Sequence, residues 1–267
     1  MSVRRTFGVI FRGRGVRQAI FLVALAVVWE MAARLGHLPE LLFPPFTAII
    51  REFFLGFGTG ELARRAAYSL YLIGVGLGLA IVTALAATAL AMTWKTFAEW
   101  LTTLMAILHP LPGIAILPVV ILWLGTGPQS IIAVIWFSAF WPLVTNLHTG
   151  LRSVPLAQIE AGRNLGLAGL RLVWTVLLPG SLPHILTGLR VAWARAWQAS
   201  VAAEMVFGAA GGEGGLGWYI YKQRYFMEIA AVFAGMTVIV LIGLLVEELL
   251  FELAESRTVR RWGMTLS

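Results

Sequence analysis

Long apolar stretches are the feature that most limits how this chain of 267 residues can fold. A run of about 20 apolar residues is long enough to cross the hydrocarbon core of a membrane as a helix. Hydrophobic residues make up 59% of the chain and charged residues only 12%, which is too little polar surface for a soluble globule. We therefore expect an all-α, polytopic membrane protein with about six transmembrane helices. The candidate spans are residues 16–35, 66–92, 97–124, 129–147, 183–207 and 228–253.

Basic residues predict the orientation of these spans. Arginines cluster before the first apolar run and no small-residue cleavage site follows it, so we expect this run to stay as an anchor. Because Lys and Arg favour the cytoplasmic side, the connectors at 93–96 and 148–182 are expected to be cytoplasmic. One transmembrane domain over 1–267 is the simplest organisation. Its expected parts are a cytoplasmic segment at 1–15, core spans over 66–253, a cytoplasmic coupling connector at 155–179 and a cytoplasmic tail at 254–267.

Composition and motifs exclude several functions. The net charge is +7, but the arginines lie beside membrane spans rather than among aromatic residues on a soluble face, so no nucleic acid is expected. The chain has no cysteine for a disulfide or a thiolate metal site. Neither Lys95 nor Lys222 follows the glycine-rich loop that binds nucleotide phosphates. The glycine cluster at 208–217 is expected in an outer loop, either as a flexible contact for a partner or as a plain turn.

The predicted connector contains an unusual sequence for so apolar a chain, IEAGRNLGLAGLRLVWTVLLP at 159–179. Pro155 favours a helix start, and Gly166 can end that helix in a left-handed turn. A second short helix is expected to run to Pro179. The small residues Ala161 and Gly162 are expected on an exposed ridge that another protein can approach closely. The pattern predicts a coupling element rather than a catalytic site.

This connector resembles the EAA motif of ABC importer permeases. The matching residues keep every spacing of that motif: Glu160, Ala161, Gly162, Gly166, Val176, Leu178 and Pro179. Gly162 departs from the pattern, which usually has alanine there. Other stretches resemble the permease subunits of the nitrate/taurine/sulfonate importer family, and the likeness covers roughly residues 16–264. They are HPLPGIAILPVVILWLGTG at 109–127, LPHILTGLRVAWARAW at 182–197, VAAEM at 201–205 and RRWGM at 260–264.

The resemblance implies a type I ABC importer permease fold with cytoplasmic coupling helices, in the inner (cytoplasmic) membrane of a bacterium, with both termini in the cytoplasm. The implied partners are a cytoplasmic ABC ATPase dimer, a second permease copy in a homodimer, and a periplasmic or lipid-anchored substrate-binding protein. ATP and Mg are then bound by the ATPase, so we expect no cofactor in this chain and no enzymatic activity. The residues implied in coupling are Glu160, Ala161, Gly162, Arg163, Gly166 and Pro179.

Prolines and charges within the spans indicate a candidate translocation pathway. Three prolines between 110 and 118 interrupt the third span, and irregular backbone at membrane depth belongs against protein or water. We therefore expect His109 and Pro112 near the pathway, although a kink without substrate contact explains the prolines equally well. Glu30 and Arg34 are four residues apart in the first span and are expected to pair with each other.

Arg195 lies in the middle of the fifth span and allows two interpretations. In one, it faces the pathway and attracts an anionic substrate, with Gln198 on the same face and Trp197 in the wall. The expected substrate is then a sulfonate, taurine, nitrate, or an organic carboxylate, including an aromatic one. In the other, Arg195 forms an interhelical salt bridge with Glu204 or Glu247.

Two other functions, a membrane enzyme and a secondary transporter, would each require sequence features of their own. A membrane enzyme needs clustered catalytic or metal-ligating side chains, and the four histidines, His37, His109, His148 and His184, are scattered. A secondary transporter driven by an ion gradient would show inverted repeats and paired intramembrane carboxylates, which we do not find. We expect an ABC importer permease and keep the gradient-driven carrier as the alternative.

Overall fold

Helices account for the regular structure of the protein. A computed structural model describes residues 3–36, 39–208 and 214–258, with side chains from residue 15 onward, and these residues form no strand. The predicted all-α fold is confirmed. The RRWGM stretch at 260–264 and residues 209–213 of the glycine cluster lie outside the described residues. The helices are α1 (Val3–Leu35), α2 (Phe46–Gly58), α3 (Glu61–Thr93), α4 (Lys95–Leu108), α5 (Leu117–Leu124), α6 (Pro128–Arg152), α7 (Leu156–Asn164), α8 (Gly169–Leu172), α9 (Leu178–Phe207), α10 (Leu216–Tyr225), α11 (Ile229–Val246) and α12 (Leu253–Arg257).

Six candidate membrane spans emerge from the described residues if one bent pair counts as a single span. The bent pair joins Lys95–Leu108 to Gly113–Leu124 with a bend of 96°. The prediction of about six spans is confirmed by length and composition. The remaining spans are Gly15–Leu35, Glu61–Thr93, Pro128–Arg152, Gly169–Phe207 and Ile229–Arg257.

The bend breaks the third span, which the sequence predicted as one run over 97–124. Pro110 and Pro112 cannot donate to a helical ladder, so α4 ends at Leu108 and a 3₁₀ turn forms at Gly113–Ile116 before α5 begins. A side chain at Gly113 would collide with Ser138 Oγ of α6. The bend therefore brings bare backbone against α6.

The fifth span is longer than expected. The sequence predicts a short helix that ends at Pro179 and a span that begins at residue 183, and both boundaries are wrong. A π-helical turn at Val173–Leu177 joins α8 to α9, so the helical stretch runs without a break over Gly169–Phe207. Pro179 follows directly after this π-helical turn, and the helix continues past it although proline has no N–H to donate.

Two further differences concern the carboxyl-terminal third. Helix α10 (Leu216–Tyr225) occupies the second half of the expected outer loop at 208–227. Its sequence, LGWYIYKQRY, has no continuous apolar run and therefore does not resemble a membrane span. In the last span, a π-helical turn at Glu247–Glu252 lies between α11 and α12.

The chain divides into two compact units, Met1–Ala63 with Ile220–Thr237, and Arg64–Tyr219 with Val238–Ser267. In the first unit, Trp29 Nε1 donates to the carbonyl of Pro44 at 3.0 Å, and the indole stacks on Phe43 at 4.4 Å between ring centroids. The predicted pair of Glu30 and Arg34 is confirmed, with 2.6 Å between Arg34 Nε and Glu30 Oε1.

The core of the second unit lies between α6 and α9. Helix α9 presents small residues to α6, and Ala192, Ala196 and Ala203 are fully buried. A Cβ at Gly188 would lie 2.7 Å from Asn146 Cβ, so the two backbones approach closely at this point. Small residues allow this approach between helices in a membrane, where dispersion contacts hold helices together.

Candidate functional site

A cavity of about 210 Å³, called here the central cavity, lies where the bend after α4 meets α6 and α9. Taking about 30 Å³ for a water molecule in the liquid, this is room for about seven waters or one small solute. The bend contributes His109 and Pro112, and α9 contributes Arg195 and Gln198. The sequence predicts these four residues near a pathway, and that role stays a prediction. The full lining is His109, Leu111, Pro112, Gly113, Ile114, Phe137, Ser138, Trp141, Pro142, Arg195, Gln198, Ala199 and Ala202.

Arg195 supplies a positive charge to the central cavity. Its side chain is exposed, and among the described residues no carboxylate forms an ion pair with it. The alternative of an interhelical salt bridge is wrong for both proposed partners. Glu247 Oε1 lies 2.9 Å from Arg190 Nε, and Glu204 is enclosed in a separate hydrogen-bond cluster. Arg195 and Gln198, one helical turn apart, both line the cavity.

Trp197 does not line this cavity, contrary to expectation. It is buried and stacks on Trp193, with 5.7 Å between ring centroids. Two residues along a helix correspond to about 200° of rotation, which directs Trp197 away from the face of Arg195. The aromatic wall comes instead from Phe137 and Trp141 on α6, which the sequence analysis did not select.

Trp141 also carries an unusual polar group. Its side chain is buried, and its indole Nε1–H has no hydrogen-bond partner among the described residues. An orphaned buried donor costs about 1–3 kcal/mol, so such groups call for an explanation. The structure of the described residues offers no acceptor for this N–H, although other atoms of Trp141 line the central cavity.

The connector after α6 forms a compact helical element. Helix α7 begins after Pro155, and its residues Glu160, Ala161 and Arg163 are exposed on the protein surface. Gly166 has a φ of +80°, which confirms the predicted left-handed turn. The turn is a Schellman motif, since the N–H of Leu167 donates to Gly162 O at 3.0 Å and that of Gly166 donates to Arg163 O at 2.9 Å.

Gly162 is buried, whereas the sequence analysis expected it on an exposed ridge. A Cβ at this position would lie 2.9 Å from Val176 Cγ2 and 3.0 Å from Leu172 Cδ1. Gly162 thus allows α7 to lie against the segment that leads into α9. Its neighbour Ala161 remains exposed, and Pro179 is half-buried in the first turn of α9.

Glu204 forms a buried cluster that the sequence did not reveal. Its carboxylate accepts from Ser69 Oγ at 2.9 Å, from Ser200 Oγ at 3.1 Å and from the Gly217 N–H at 2.8 Å. Ser69 Oγ in turn accepts from the Leu216 N–H at 2.9 Å. These bonds hold the first turn of α10 against α3 and α9. The only sequence signal was a carboxylate within an apolar span.

The described residues contain no group of three or more His, Asp or Glu side chains that could hold a metal ion. The long apolar helices make the protein a multi-pass α-helical membrane protein, and its broken span lines a cavity, as irregular backbone at membrane depth is expected to do.

Comparisons with known proteins identify the family. The pattern of the family described as "Binding-protein-dependent transport system inner membrane component" matches residues 76–260. A putative ABC transporter permease protein of Methanocaldococcus jannaschii is 36% identical over 233 residues, with 85% of this chain and 86% of that protein covered. The taurine transport system permease protein of Escherichia coli is 30% identical over 231 residues, covering 85% and 82%. The chain therefore belongs to the family of binding-protein-dependent inner membrane components.

Two further similarities support this result. The nitrate import permease protein of Synechocystis is 29% identical over 244 residues, with 89% of this chain and 87% of that protein covered. An inward-facing structure of the MetNI methionine ABC transporter has a chain that matches with a TM-score of 0.59 and 21% identity, covering 75% of this chain and 95% of that chain. This second likeness shows the fold alone, which is that of an ABC importer permease.

Proposed function

We propose that this chain is the permease subunit of an ATP-driven importer that carries a small anion through the central cavity. The substrate is a sulfonate, taurine, nitrate or an organic carboxylate, including an aromatic one. The names of relatives support the anion, since those proteins are described as permeases for taurine, nitrate and aliphatic sulfonates.

The observation that carries the proposal is the charge of Arg195 in the central cavity. A guanidinium at membrane depth is costly unless a partner accompanies it, and no described carboxylate pairs with it. An anionic substrate would supply the missing charge, and the exposed Gln198 adds an uncharged donor. Arginine also suits carboxylate and sulfonate groups because its planar donors bind two oxygens together.

Coupling is proposed to pass through helix α7. Its exposed residues Glu160, Ala161 and Arg163 would dock on a separate ABC ATPase, and the Schellman turn at Gly166 gives the helix a fixed end. The packing of Gly162 against Leu172 links α7 to the stretch that continues into α9. A displacement of α7 by the ATPase would therefore be transmitted to the helix that carries Arg195.

The proposal includes the orientation of the chain in the membrane and its partner proteins. The termini and the α7 connector lie in the cytoplasm, and a second copy of this chain completes a homodimer. A substrate-binding protein delivers the anion from the other side. ATP and Mg bind to the ATPase, and this chain catalyses no reaction.

The test is transport by the full assembly in proteoliposomes with its ATPase and binding protein. Calorimetry on the binding protein first identifies its ligand from a panel of taurine, alkyl sulfonates, nitrate and aromatic carboxylates. Arg195→Gln is expected to lower uptake of that anion by tenfold or more, which corresponds to about 1.4 kcal/mol, because it removes the positive charge that Arg195 supplies to the central cavity. Arg195→Lys should retain part of the activity, and Arg51→Gln, an exposed arginine on α2, is the matched control.

Unchanged uptake by Arg195→Gln in a normally assembled transporter would remove Arg195 from the pathway. The ion-gradient-driven carrier remains the competing function. Uptake that persists without the ATPase and collapses with the ion gradient would favour that carrier and refute coupling through α7.

A further inference from the structure

Helix α2 carries an exposed apolar stripe, which is formed by Ile50, Phe54 and Phe57. These residues recur at intervals of four and three, which places their side chains on one face of the helix. Their exposed fractions are 41%, 68% and 41%. The half-buried Phe53 borders the stripe, and its ring lies 5.6 Å from that of Phe54 and 4.9 Å from that of Phe57, between centroids. The stripe is therefore a continuous apolar surface.

The other faces of α2 differ from this stripe. Ile49 is buried, so the face on one side of the stripe packs against the protein. Arg51 and Gly58 are exposed on the other side, about a quarter turn around the helix axis. Leu55 is a single exposed apolar residue further around, which is ordinary for a surface helix. An apolar stripe beside a polar edge is the pattern of a helix that lies in a membrane interface.

The amino terminus of α2 is tied to α1. Pro45 supplies no side-chain cap, so the N–H of Thr47 in the first turn needs an acceptor from elsewhere. Glu30 of α1 supplies it, since its Oε2 accepts from the Thr47 N–H at 3.1 Å and its Oε1 accepts from Thr47 Oγ1 at 3.0 Å. Arg34 Nη2 also donates to Thr47 Oγ1 at 3.3 Å. These bonds fix the start of α2 at the level of Glu30.

The level of Glu30 lies within the membrane span of α1. The candidate span Gly15–Leu35 has 21 residues, or about 31 Å, which is enough to cross the hydrocarbon core once. Because Glu30 precedes Leu35 by five positions, α2 begins about 7.5 Å before the end of that span. Helices that lie in a membrane interface bury their apolar face by about 5–10 Å. The level at which α2 is tied agrees with this depth.

The carboxyl end of α2 is held as well. A Cβ at Gly56 would lie 2.6 Å from Leu62 Cδ1, so the last part of α2 packs directly against the fully buried Leu62. Leu62 is the second residue of the next candidate span, Glu61–Thr93. With 13 residues, α2 is about 20 Å long and too short to cross the membrane. Both of its ends are held at the ends of spans, so the helix lies along one membrane surface.

The geometry points to a lipid-binding role for α2, in which the apolar stripe contacts the acyl chains of the leaflet where α1 ends. Water would leave three large apolar side chains exposed, whereas acyl chains cover them. Arg51 at the polar edge can extend its charge towards the headgroups. By these contacts, α2 anchors the end of α1 in the interface. In the orientation proposed above, this is the outer leaflet.

The absence of cysteine from the chain permits a direct test by site-directed spin labelling. Ile50→Cys and Phe54→Cys place a nitroxide on the stripe, and Arg51→Cys and Gly58→Cys place it at the polar edge as matched controls. The full chain is reconstituted in vesicles of phosphatidylethanolamine and phosphatidylglycerol. Collision rates with oxygen, which concentrates among acyl chains, and with a water-soluble nickel chelate then give the depth of each label.

We expect the labels of Ile50→Cys and Phe54→Cys to favour oxygen and to lie at a depth of about 5–10 Å in the interface. The labels of Arg51→Cys and Gly58→Cys should favour the nickel chelate. A preference for the chelate at all four positions would overturn the proposal, because α2 would then project into water. Shielding of both stripe positions from both reagents would also overturn it, since a second copy or another protein would then cover the stripe.

A further variant tests the tie to α1. Glu30→Ala in the Phe54→Cys background removes the acceptor of the Thr47 N–H and should shift the label towards water, which supplies a new acceptor. Glu40→Ala, which removes an exposed carboxylate before α2, is the control and should leave the depth unchanged. Equal depths in the two variants would refute the anchoring of α1 by α2. These measurements need neither ATP nor a substrate, so their outcome is independent of the proposed function.

Discussion

The strongest prediction about stability concerns Glu204, because its carboxylate holds three elements together. We expect Glu204→Ala to destabilise the protein substantially and Glu204→Gln to do so only mildly. Alanine removes all acceptors, whereas glutamine keeps one carbonyl oxygen for the Gly217 N–H and the Ser69 hydroxyl. The glutamine amide can then donate to Ser200 Oγ, which rotates its own proton away.

The size of the destabilisation by Glu204→Ala follows from the number of buried hydrogen-bonding groups that lose their partner. In Glu204→Ala, the Gly217 N–H loses the one acceptor that it has among the described residues, at a buried site, which costs about 1–3 kcal/mol. Two serine hydroxyls lose their partner as well, and the total is about 3 kcal/mol. For a protein of this size, about 3 kcal/mol corresponds to a lowering of the melting temperature by about 6–12 °C. The corresponding value for Glu204→Gln is about 2–4 °C.

Thermal unfolding in mild detergent, followed by tryptophan fluorescence, measures this difference. Trp218 lies against Gly214 beside the cluster and reports on its local environment. Glu248→Ala, which removes an exposed carboxylate from the last span, is the control. If Glu204→Ala and Glu204→Gln both unfold within 2 °C of the parent, about 0.5–1 kcal/mol, the cluster does not stabilise the fold and the reasoning is refuted.

Three other predictions follow from close contacts and from the connector. Gly217→Ala places a Cβ against the carbonyl of Val201 and should lower the melting temperature, whereas Gly74→Ala, which meets no atom within 4 Å, should leave it unchanged or raise it slightly. Gly166→Ala must hold a left-handed conformation, at a cost of about 1–2 kcal/mol, and should lower ATP-driven uptake more than binding-protein affinity. Arg190→Gln should change stability by less than about 1 kcal/mol, because its ion pairs are half-exposed; a larger loss in thermal unfolding would contradict this.

The sequence alone predicted much of this fold because a helix that crosses a bilayer needs about 20 apolar residues in a row, which can be recognised in a sequence. Apolar length indicated the spans, and the prolines after His109 indicated the break that shapes the central cavity. The left-handed turn that ends α7 could also be predicted, since it depends only on Gly166 and its neighbours in the chain. The pair of Glu30 and Arg34 followed from helical spacing. Each of these features depends on residues that are close in the chain.

Contacts between distant residues were decided only by the tertiary structure. The sequence offered Glu204 as a partner for Arg195, but the carboxylate is 135 positions from Ser69 and bonds to it instead. Gly162 was expected to face outward, and its burial depends on Leu172 and Val176 in a helix whose continuation past Pro179 was not foreseen. That the buried Trp141 N–H has no acceptor among the described residues became visible only with its surroundings. A residue type limits the bonds that a side chain can make, but which neighbours supply those bonds is decided by the packing of helices that lie far apart in the sequence.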